Sequence, residues 1–210
     1  MTFDDGLYQQ HFKSKEEILD YLSGKTLKTN RLNVSFTTED DIDNLAKYFT
    51  DEEYLRMFDF ETLWPKDIEE AKEYLKNTIF KKDKCFFTIK INATNEYIGQ
   101  IGFNLSIHDR LWICYWLAEP FQKKGYMSEI CLPMIKYFFE TCEEFTMLTI
   151  RTHVDNISSQ KLAKKICDFV NNNAKYRYET YRDTIELFSE EERKNIRFDV
   201  IYFKLFKNKS

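Results

Sequence analysis

Apolar residues recur every three or four positions in several stretches of the chain, which is the spacing of an amphipathic helix. Most of these stretches begin beside a residue that favours helix N-termini, such as Ser14 with Glu17 or Thr38 with Asp41. The stretch 125–140 contains Pro133, which has no backbone amide to donate, and this predicts a kink. The predicted helices are a short one before Gly24, then 38–49, 51–57, 65–79, 125–140 and 156–166.

Apolar and polar residues alternate in other stretches, as expected for strands with one buried face. A turn-prone linker, 92–95, joins two of these runs and predicts an antiparallel hairpin. The predicted strands are 32–36, 86–91, 97–107, 111–117, 147–153 and 197–206. The predicted order is one strand, then helices, then three strands, and then a helix, a strand, a helix and a strand. This order predicts a mixed α/β fold.

The most informative segment is 115–129, where a strand ends in Tyr-Trp-Leu, a short charged loop follows and a helix begins. Glycine is scarce, with 5 in 210 residues, so Gly125 in this loop indicates a special backbone position. Successive amides at a helix N-terminus form a positively polarised site for phosphate groups. Taken alone, the loop could equally be an ordinary charged turn.

The segment 115–129 resembles the coenzyme A-binding signature of the GCN5-related N-acetyltransferases (GNAT), and the RimJ/RimL-type branch in particular. The stretch 154–159, in which Asn156 precedes Ser159, is similar to the family's sequence after the next strand. The resemblance extends over about 32–206. It implies the acyl-CoA N-acyltransferase fold, a central mixed sheet flanked by helices, in which the parallel strands 111–117 and 147–153 splay apart to admit acetyl-CoA.

The resemblance also implies which residues bind acetyl-CoA. The loop would hold the pyrophosphate, with Gly125 allowing close approach, and Asn156 would contact the pantetheine arm as well as cap a helix. A bulge at the end of the preceding strand would direct two backbone amides toward the thioester carbonyl. The implied acetyl-CoA-binding residues are Leu117, Ala118, Gln122, Lys123, Lys124, Gly125, Tyr126, Met127 and Asn156.

The family's catalytic residues carry over less completely. Its tyrosine acid corresponds to Ala163 and its strand glutamate to Trp112, so the chain departs from the family pattern at both positions. In the RimL-like branch the proposed acid corresponds to Ser159, the candidate here, although a small residue in a first helical turn is an equally good interpretation. For removal of the amine proton, Glu119 and a water molecule are both candidates.

The resemblance implies transfer of the acetyl group to a primary amine, either a protein N-terminus or a small molecule, by direct attack in a ternary complex. Phe58, Phe60 and Trp64 would border the acceptor, because the corresponding segment lines the acceptor cleft in relatives; core packing is the alternative. A second hypothesis is a catalytically reduced acyl-CoA-binding module that acts through a protein partner. Whether the chain forms a homodimer, as some relatives do, stays open.

Composition excludes other classes of protein. The net charge of −4, without a basic block interleaved with aromatic residues, argues against nucleic-acid binding. Five widely spaced cysteines argue against a disulfide framework or a zinc site and favour a reducing compartment. No stretch approaches the roughly 20 apolar residues that span a bilayer. Together with the resemblance, these exclusions lead us to expect a cytoplasmic acetyltransferase without a metal. We expect an N-terminal extension at 1–29 that contains a short helix, followed by the GNAT domain at 30–210.

Overall fold

The computed structural model of the protein describes residues 10–49, 65, 67–81, 84–105, 110–171, 176–189 and 194–207. Its strands are β1 Thr26–Lys28, β2 Leu32–Phe36, β3 Lys84–Ile91, β4 Tyr97–Asn104, β5 Arg110–Leu117, β6 Met147–His153, β7 Tyr176–Ser189 and β8 Lys194–Lys207. These eight strands form one sheet in the order β1-β2-β3-β4-β5-β6-β8-β7. Neighbouring strands are antiparallel except β5 and β6, which are parallel. The prediction of a mixed α/β fold is confirmed.

The helices of the described residues lie on both sides of this sheet. They are α1 Lys15–Leu22, α2 Ile42–Phe49, α3 Ile68–Ile79, α4 Tyr126–Thr141 and α5 Ile157–Val170. The capping interactions predicted at Ser14 and Thr38 are present. The cap of α3 is Asp67, whose carboxylate accepts two backbone amides, so Pro65 lies before the helix and not at its start. The predicted helix at 51–57 lies outside the described residues.

A hydrophobic core of aliphatic and aromatic side chains lies between the sheet and the helices α4 and α5. The ring of Phe138 on α4 stacks on Phe103 at 4.5 Å and meets Phe87 edge-on at 6.1 Å. Each fully buried Phe side chain contributes about 1.5–3 kcal/mol of transfer free energy. A second, smaller cluster packs α2 and α3 against the opposite face of the sheet. Helix α4 continues through Pro133 as one helix. This packing fixes the N-termini of α4 and α5 relative to the central strands.

Strands β5 and β6 separate toward their carboxyl ends. Their parallel register runs from Arg110 opposite Met147 to Ile113 opposite Ile150 and then stops. Strand β6 remains paired with β8 along its whole length, so only its contact with β5 is lost. The splay that the sequence resemblance implies is therefore present, and it opens a cleft beside the last four residues of β5.

The C-terminal part of the sheet is larger than predicted. Strands β7 and β8 form an antiparallel hairpin of 14 paired positions, whereas the sequence predicted one strand at 197–206. Strand β7 was missed because it is an edge strand with largely exposed side chains, so it lacks a hydrophobic alternation. In β8 the buried face carries Ile201, Phe203 and Leu205, while Tyr202 is partly exposed.

The described residues of the segment before Thr29 pack on the same core. Ile18 and Leu22 are fully buried, and Leu27 of β1 belongs to the same cluster. Phe12 forms an isolated parallel bridge with Cys142, just beyond α4. Residues 10–28 therefore contribute an edge strand and core side chains to the fold. No helix in the described residues is long and apolar enough to cross a lipid bilayer.

Candidate functional site

A cavity of about 370 Å³ lies where β5 separates from β6. Its wall is formed by the end of β5, the loop and first turn of α4, and the first turns of α5. The lining residues are Tyr115, Trp116, Leu117, Gln122, Lys123, Gly125, Tyr126, Met127, Ser128, Asn156, Ser158, Ser159, Lys161 and Leu162. Seven of the nine residues expected to bind acetyl-CoA thus share one cavity with Ser159. The exceptions are Ala118 and Lys124.

The loop before α4 has a left-handed backbone conformation at two positions. Gly125, the residue before the helix, has a φ of 81° and a ψ of 0°, and Lys123 has a φ of 57°. The left-handed conformation at position 125 explains the glycine, because a side chain there would be strained. The first helical hydrogen bond runs from the Glu129 amide to the Gly125 carbonyl, 3.0 Å away. The amides of the preceding turn therefore have no partner within the helix and can bind an anion.

A buried carboxylate holds the first turn of α4. The Glu129 side chain is 3% exposed, and Arg31, just before β2, places its Nε 2.6 Å from Glu129 Oε2. The Thr29 hydroxyl and the Arg31 amide donate to the other oxygen. Burial acts to raise the pKa of Glu129, but these hydrogen bonds and the Arg31 charge outweigh it and hold the pKa below its usual value.

Arg31 also contacts the loop itself. Its Nη1 donates to the Lys124 carbonyl at 3.2 Å, and its guanidinium lies 4.4 Å from the centroid of the Tyr126 ring. Sequence analysis missed both Arg31 and Glu129. The sequence held one signal: Glu129 is a carboxylate on the otherwise apolar face of α4. A buried charge requires a partner, so this position indicated an ion pair.

Two of the expected cosubstrate contacts need correction. The amide of Ala118 donates to the Ile98 carbonyl at 2.9 Å, so it is not available to a thioester. Lys124 directs its ammonium over the ring of Phe121, 5.6 Å from the centroid, and does not line the cavity. The expected bulge at the end of β5 is also not present, because its register with β4 is continuous; the bulge is between β3 and β4.

Leu117 remains as an amide donor at the cleft. It pairs with Gly99 of β4, and the adjacent hydrogen bond is the one from Ala118 to Ile98. Leu117 and Gly99 are therefore a non-hydrogen-bonded pair, whose N–H groups point away from each other. Beyond Ile113 no β6 residue pairs with β5, so the Leu117 amide faces the cleft.

Two hydroxyl groups meet in the cavity. The Tyr115 hydroxyl lies 3.1 Å from Ser159 Oγ, and either can be the donor. The Asn156 side-chain oxygen caps α5 by accepting the Ser159 amide at 2.9 Å, which leaves its NH2 group for a ligand. Burial raises the pKa of Tyr115 well above its usual value, so the hydroxyl stays protonated. Tyr115 was quoted in the sequence motif but not identified as a functional residue.

Other predicted site residues lie elsewhere. Glu119 is exposed, begins a 3-10 turn, and does not line the cavity. Phe58, Phe60 and Trp64 lie outside the described residues. In the described part of the wall the lining includes two lysines, Lys123 and Lys161, and no carboxylate. The site therefore favours an anionic ligand.

Residues 31–166 match the model of the acetyltransferase (GNAT) domain family. No curated protein is similar enough in sequence to count as a match.

Several solved structures share the fold. RimL, the ribosomal L7/L12 alpha-N-protein acetyltransferase in complex with coenzyme A, has a TM-score of 0.64 and 18% identity, over 87% of this chain and 98% of its own. A Salmonella typhimurium acetyltransferase that modifies the N-terminal serine of ribosomal protein L7/L12 gives a TM-score of 0.61 and 19% identity, over 86% and 97%. The microcin C7 self-immunity acetyltransferase MccE, with acetyl-CoA and AMP, gives 0.65 and 15%, over 87% and 97%.

Proposed function

The chain belongs to the acetyltransferase (GNAT) domain family, and on that premise we propose that it transfers the acetyl group of acetyl-CoA to a primary amine. The observation that carries the proposal is the cavity at the β5–β6 splay, which combines unpaired backbone amides, two lysines and a pair of hydroxyl groups. A protein N-terminal amine is the favoured acceptor, since similar structures include ribosomal-protein acetyltransferases.

The first turn of α4 would bind the pyrophosphate of acetyl-CoA. Its unpaired amides and the positive end of the helix favour negative charge, and Lys123 adds a cation at the same wall. Gln122 is held by a hydrogen bond from its Nε2 to the Leu117 carbonyl, 3.0 Å away, which links the loop to the end of β5. The Asn156 NH2 group would bind the pantetheine arm.

Transfer would proceed by direct attack. The amine nitrogen attacks the thioester carbonyl carbon, and the Leu117 amide donates to the oxygen as it becomes negative. In other acyl transfers, one such donor lowers the activation free energy by about 3 kcal/mol. The C–S bond then breaks and the electron pair leaves with the sulfur.

Two protons move during this reaction. The amine must lose one, and because no carboxylate is in the described cavity wall, we assign its removal to water in preference to Glu119. The coenzyme A thiolate takes up the other from Ser159 as the Tyr115 hydroxyl donates to Ser159, and the proton that water took from the amine returns to Tyr115. Since Tyr115 stays protonated, this pair can donate throughout the neutral range.

Release of free thiol from acetyl-CoA, measured with a panel of amines and N-terminal peptides, tests the function. Amine-dependent thiol release, with an acetylated product of the expected mass, supports transfer. Calorimetric binding of acetyl-CoA without transfer to any acceptor would instead favour the catalytically reduced binding module.

A further inference from the structure

The sheet has a second surface whose chemistry the transfer reaction does not use. Strands β5, β6, β8 and β7 bury the alternate residues of one face under α4 and α5. On the opposite face, the described helix α2 contacts the end of β5 at Trp116. The open face, as we call this surface, includes Arg110, Trp112, Arg151, Tyr181, Tyr202 and Lys204, and at its β7 edge the carboxylates Glu179 and Asp183. Strand register places them in adjacent rows: Trp112 is beside Thr149 and then Lys204, and Arg151 is beside Tyr202 and then Tyr181.

Cations and rings alternate across the open face. The guanidinium groups of Arg110 and Arg151 lie 5.9 and 5.5 Å from the centroid of Trp112. The Lys204 ammonium lies 4.7 Å from the ring of Tyr181 and 5.6 Å from that of Tyr202. The two tyrosines stack at 5.0 Å. Contact with the rings holds the charges in defined positions at the surface.

None of these cations has an ion-pair partner among the described residues. Arg110, Arg151 and Lys204 form no salt bridge with any residue that the structure describes. Two arginines of the β7–β8 hairpin behave differently, because Arg177 pairs with Glu179 and Arg197 with Glu186. The hydroxyl oxygen of Thr149, buried between Trp112 and Lys204, also has no hydrogen-bond partner in the described chain. The open face therefore presents three cations, together with a buried hydroxyl, that no described residue pairs.

The open face adjoins the cleft. Ile150 is the last β6 residue paired with β5, and Arg151 follows it directly. On β5, the exposed Cys114 follows Ile113 in the same way. The N-terminal turns of α4 and α5 enclose the cavity from the other side of the sheet. An amine that reaches the thioester through the cleft therefore approaches from the open face.

We propose that the open face binds the acceptor itself, a polypeptide whose N-terminal amine enters the cleft and whose next residues include aspartate or glutamate. This inference rests on the proposed acetyl transfer. Three cations that have no carboxylate partner in the described part of the chain match discrete acidic side chains spaced along an extended peptide. A continuous phosphate backbone fits less well, because Glu179 and Asp183 on the same face would repel an unbroken row of negative charges, whereas separate carboxylates of a peptide can lie opposite the three cations.

The test uses two synthetic peptides with the same length and N-terminal residue. One carries Asp and Glu at positions 3 to 6, and the other carries Asn and Gln there. Binding of each to the coenzyme A complex is measured by calorimetry, and transfer from acetyl-CoA is measured separately. The Arg151→Gln/Lys204→Gln variant is compared with Arg197→Gln, a control that removes an already paired charge from the same hairpin. A thermal melt of each variant verifies folding.

We expect the acidic peptide to bind roughly three- to tenfold more tightly than the neutral one to the wild type and to Arg197→Gln. The preference should fall to about one in the double variant and weaken with salt. Equal binding of both peptides, or a preference that survives the double substitution, would overturn the proposal even if both peptides are acetylated. Preferential binding without transfer would support the open face and contradict the acetyltransferase function. Displacement of the acidic peptide by a matched RNA oligonucleotide at lower concentration would reassign the face to nucleic acid.

Discussion

Arg31 Nε lies 2.6 Å from the buried carboxylate of Glu129, although 98 residues separate them in the sequence. The pair joins the start of β2 to the first turn of α4. The same guanidinium donates to the Lys124 carbonyl, so one side chain connects the sheet, the helix and the loop. The backbone geometry of the cavity therefore depends on an ion pair outside its wall.

Substituting this pair should weaken acetyl-CoA binding more than turnover. Arg31→Lys keeps the charge but loses the forked contact to Glu129 and Lys124, so we expect the KM for acetyl-CoA to rise several-fold while kcat changes little. Glu129→Ala leaves Arg31 without its partner and should lower the free energy of unfolding by about 2 kcal/mol. Steady-state kinetics and denaturant unfolding measure the two effects.

An exposed ion pair provides the control. Lys164 and Asp168 on α5 are 2.7 Å apart but more than half exposed, so Asp168→Asn should cost less than about 0.5 kcal/mol. If Glu129→Ala were no more destabilising than Asp168→Asn, the Arg31–Glu129 ion pair would contribute no more to stability than an exposed pair.

The pH dependence of stability should reveal the same carboxylate. The folded-state pKa of Glu129 lies below its unfolded value of about 4.3, so ionisation stabilises the native state above that pH. This stabilisation is lost as the pH falls through the folded pKa. The difference in melting temperature between wild type and Glu129→Gln should therefore be constant near neutrality and shrink below about pH 4. A difference that did not change with pH would show that Glu129 is not ionised in the native state.

Gly125 should be needed for ligand binding beyond its effect on stability. Gly125 and Gly24 have similar left-handed conformations, with φ of 81° and 72°, and Gly24 lies in a turn far from the cavity in sequence. Alanine at either position should cost about 1 kcal/mol. Gly125→Glu should in addition abolish acetyl-CoA binding, because its carboxylate would repel the pyrophosphate. Calorimetry measures acetyl-CoA binding to Gly125→Glu and to the control Gly24→Glu, which has similar backbone strain outside the cavity. Equal affinities of the two variants for acetyl-CoA would contradict the proposed phosphate contact.

Local sequence predicted the parts of the site that are formed by neighbouring residues. The loop 122–127, the cap at Asn156 and the end of β5 are each contained in one strand–loop–helix unit, so spacing and resemblance were sufficient. Arg31 and Glu129 escaped because their contact is tertiary. The prediction that the Ala118 amide is free to donate to the thioester was wrong. Which amides of β5 bond to β4 depends on the register of the two strands, and no local sequence pattern specifies that register.

The hydroxyl pair makes the sharpest mechanistic prediction. If Ser159 protonates the leaving thiolate, Ser159→Ala should lower kcat by about 100-fold and leave the KM for acetyl-CoA nearly unchanged, because general acids act on the transition state. The backbone amide that Asn156 caps is retained in this variant, so α5 should keep its N-terminus.

Tyr115→Phe separates resupply of the proton from the donor itself. It removes the hydroxyl 3.1 Å from Ser159 Oγ, and if the two groups act as one unit the double variant should be no slower than Ser159→Ala alone. Ser158→Ala, which changes a neighbouring serine in the cavity wall, is the matched control and should keep wild-type turnover. Because burial raises the pKa of Tyr115, the wild-type rate should show no loss from ionisation of this hydroxyl at or below pH 10, its usual pKa. A kcat that is unchanged in Ser159→Ala would instead assign protonation of the thiolate to Tyr115 or to water, and the Tyr115→Phe variant distinguishes these two donors.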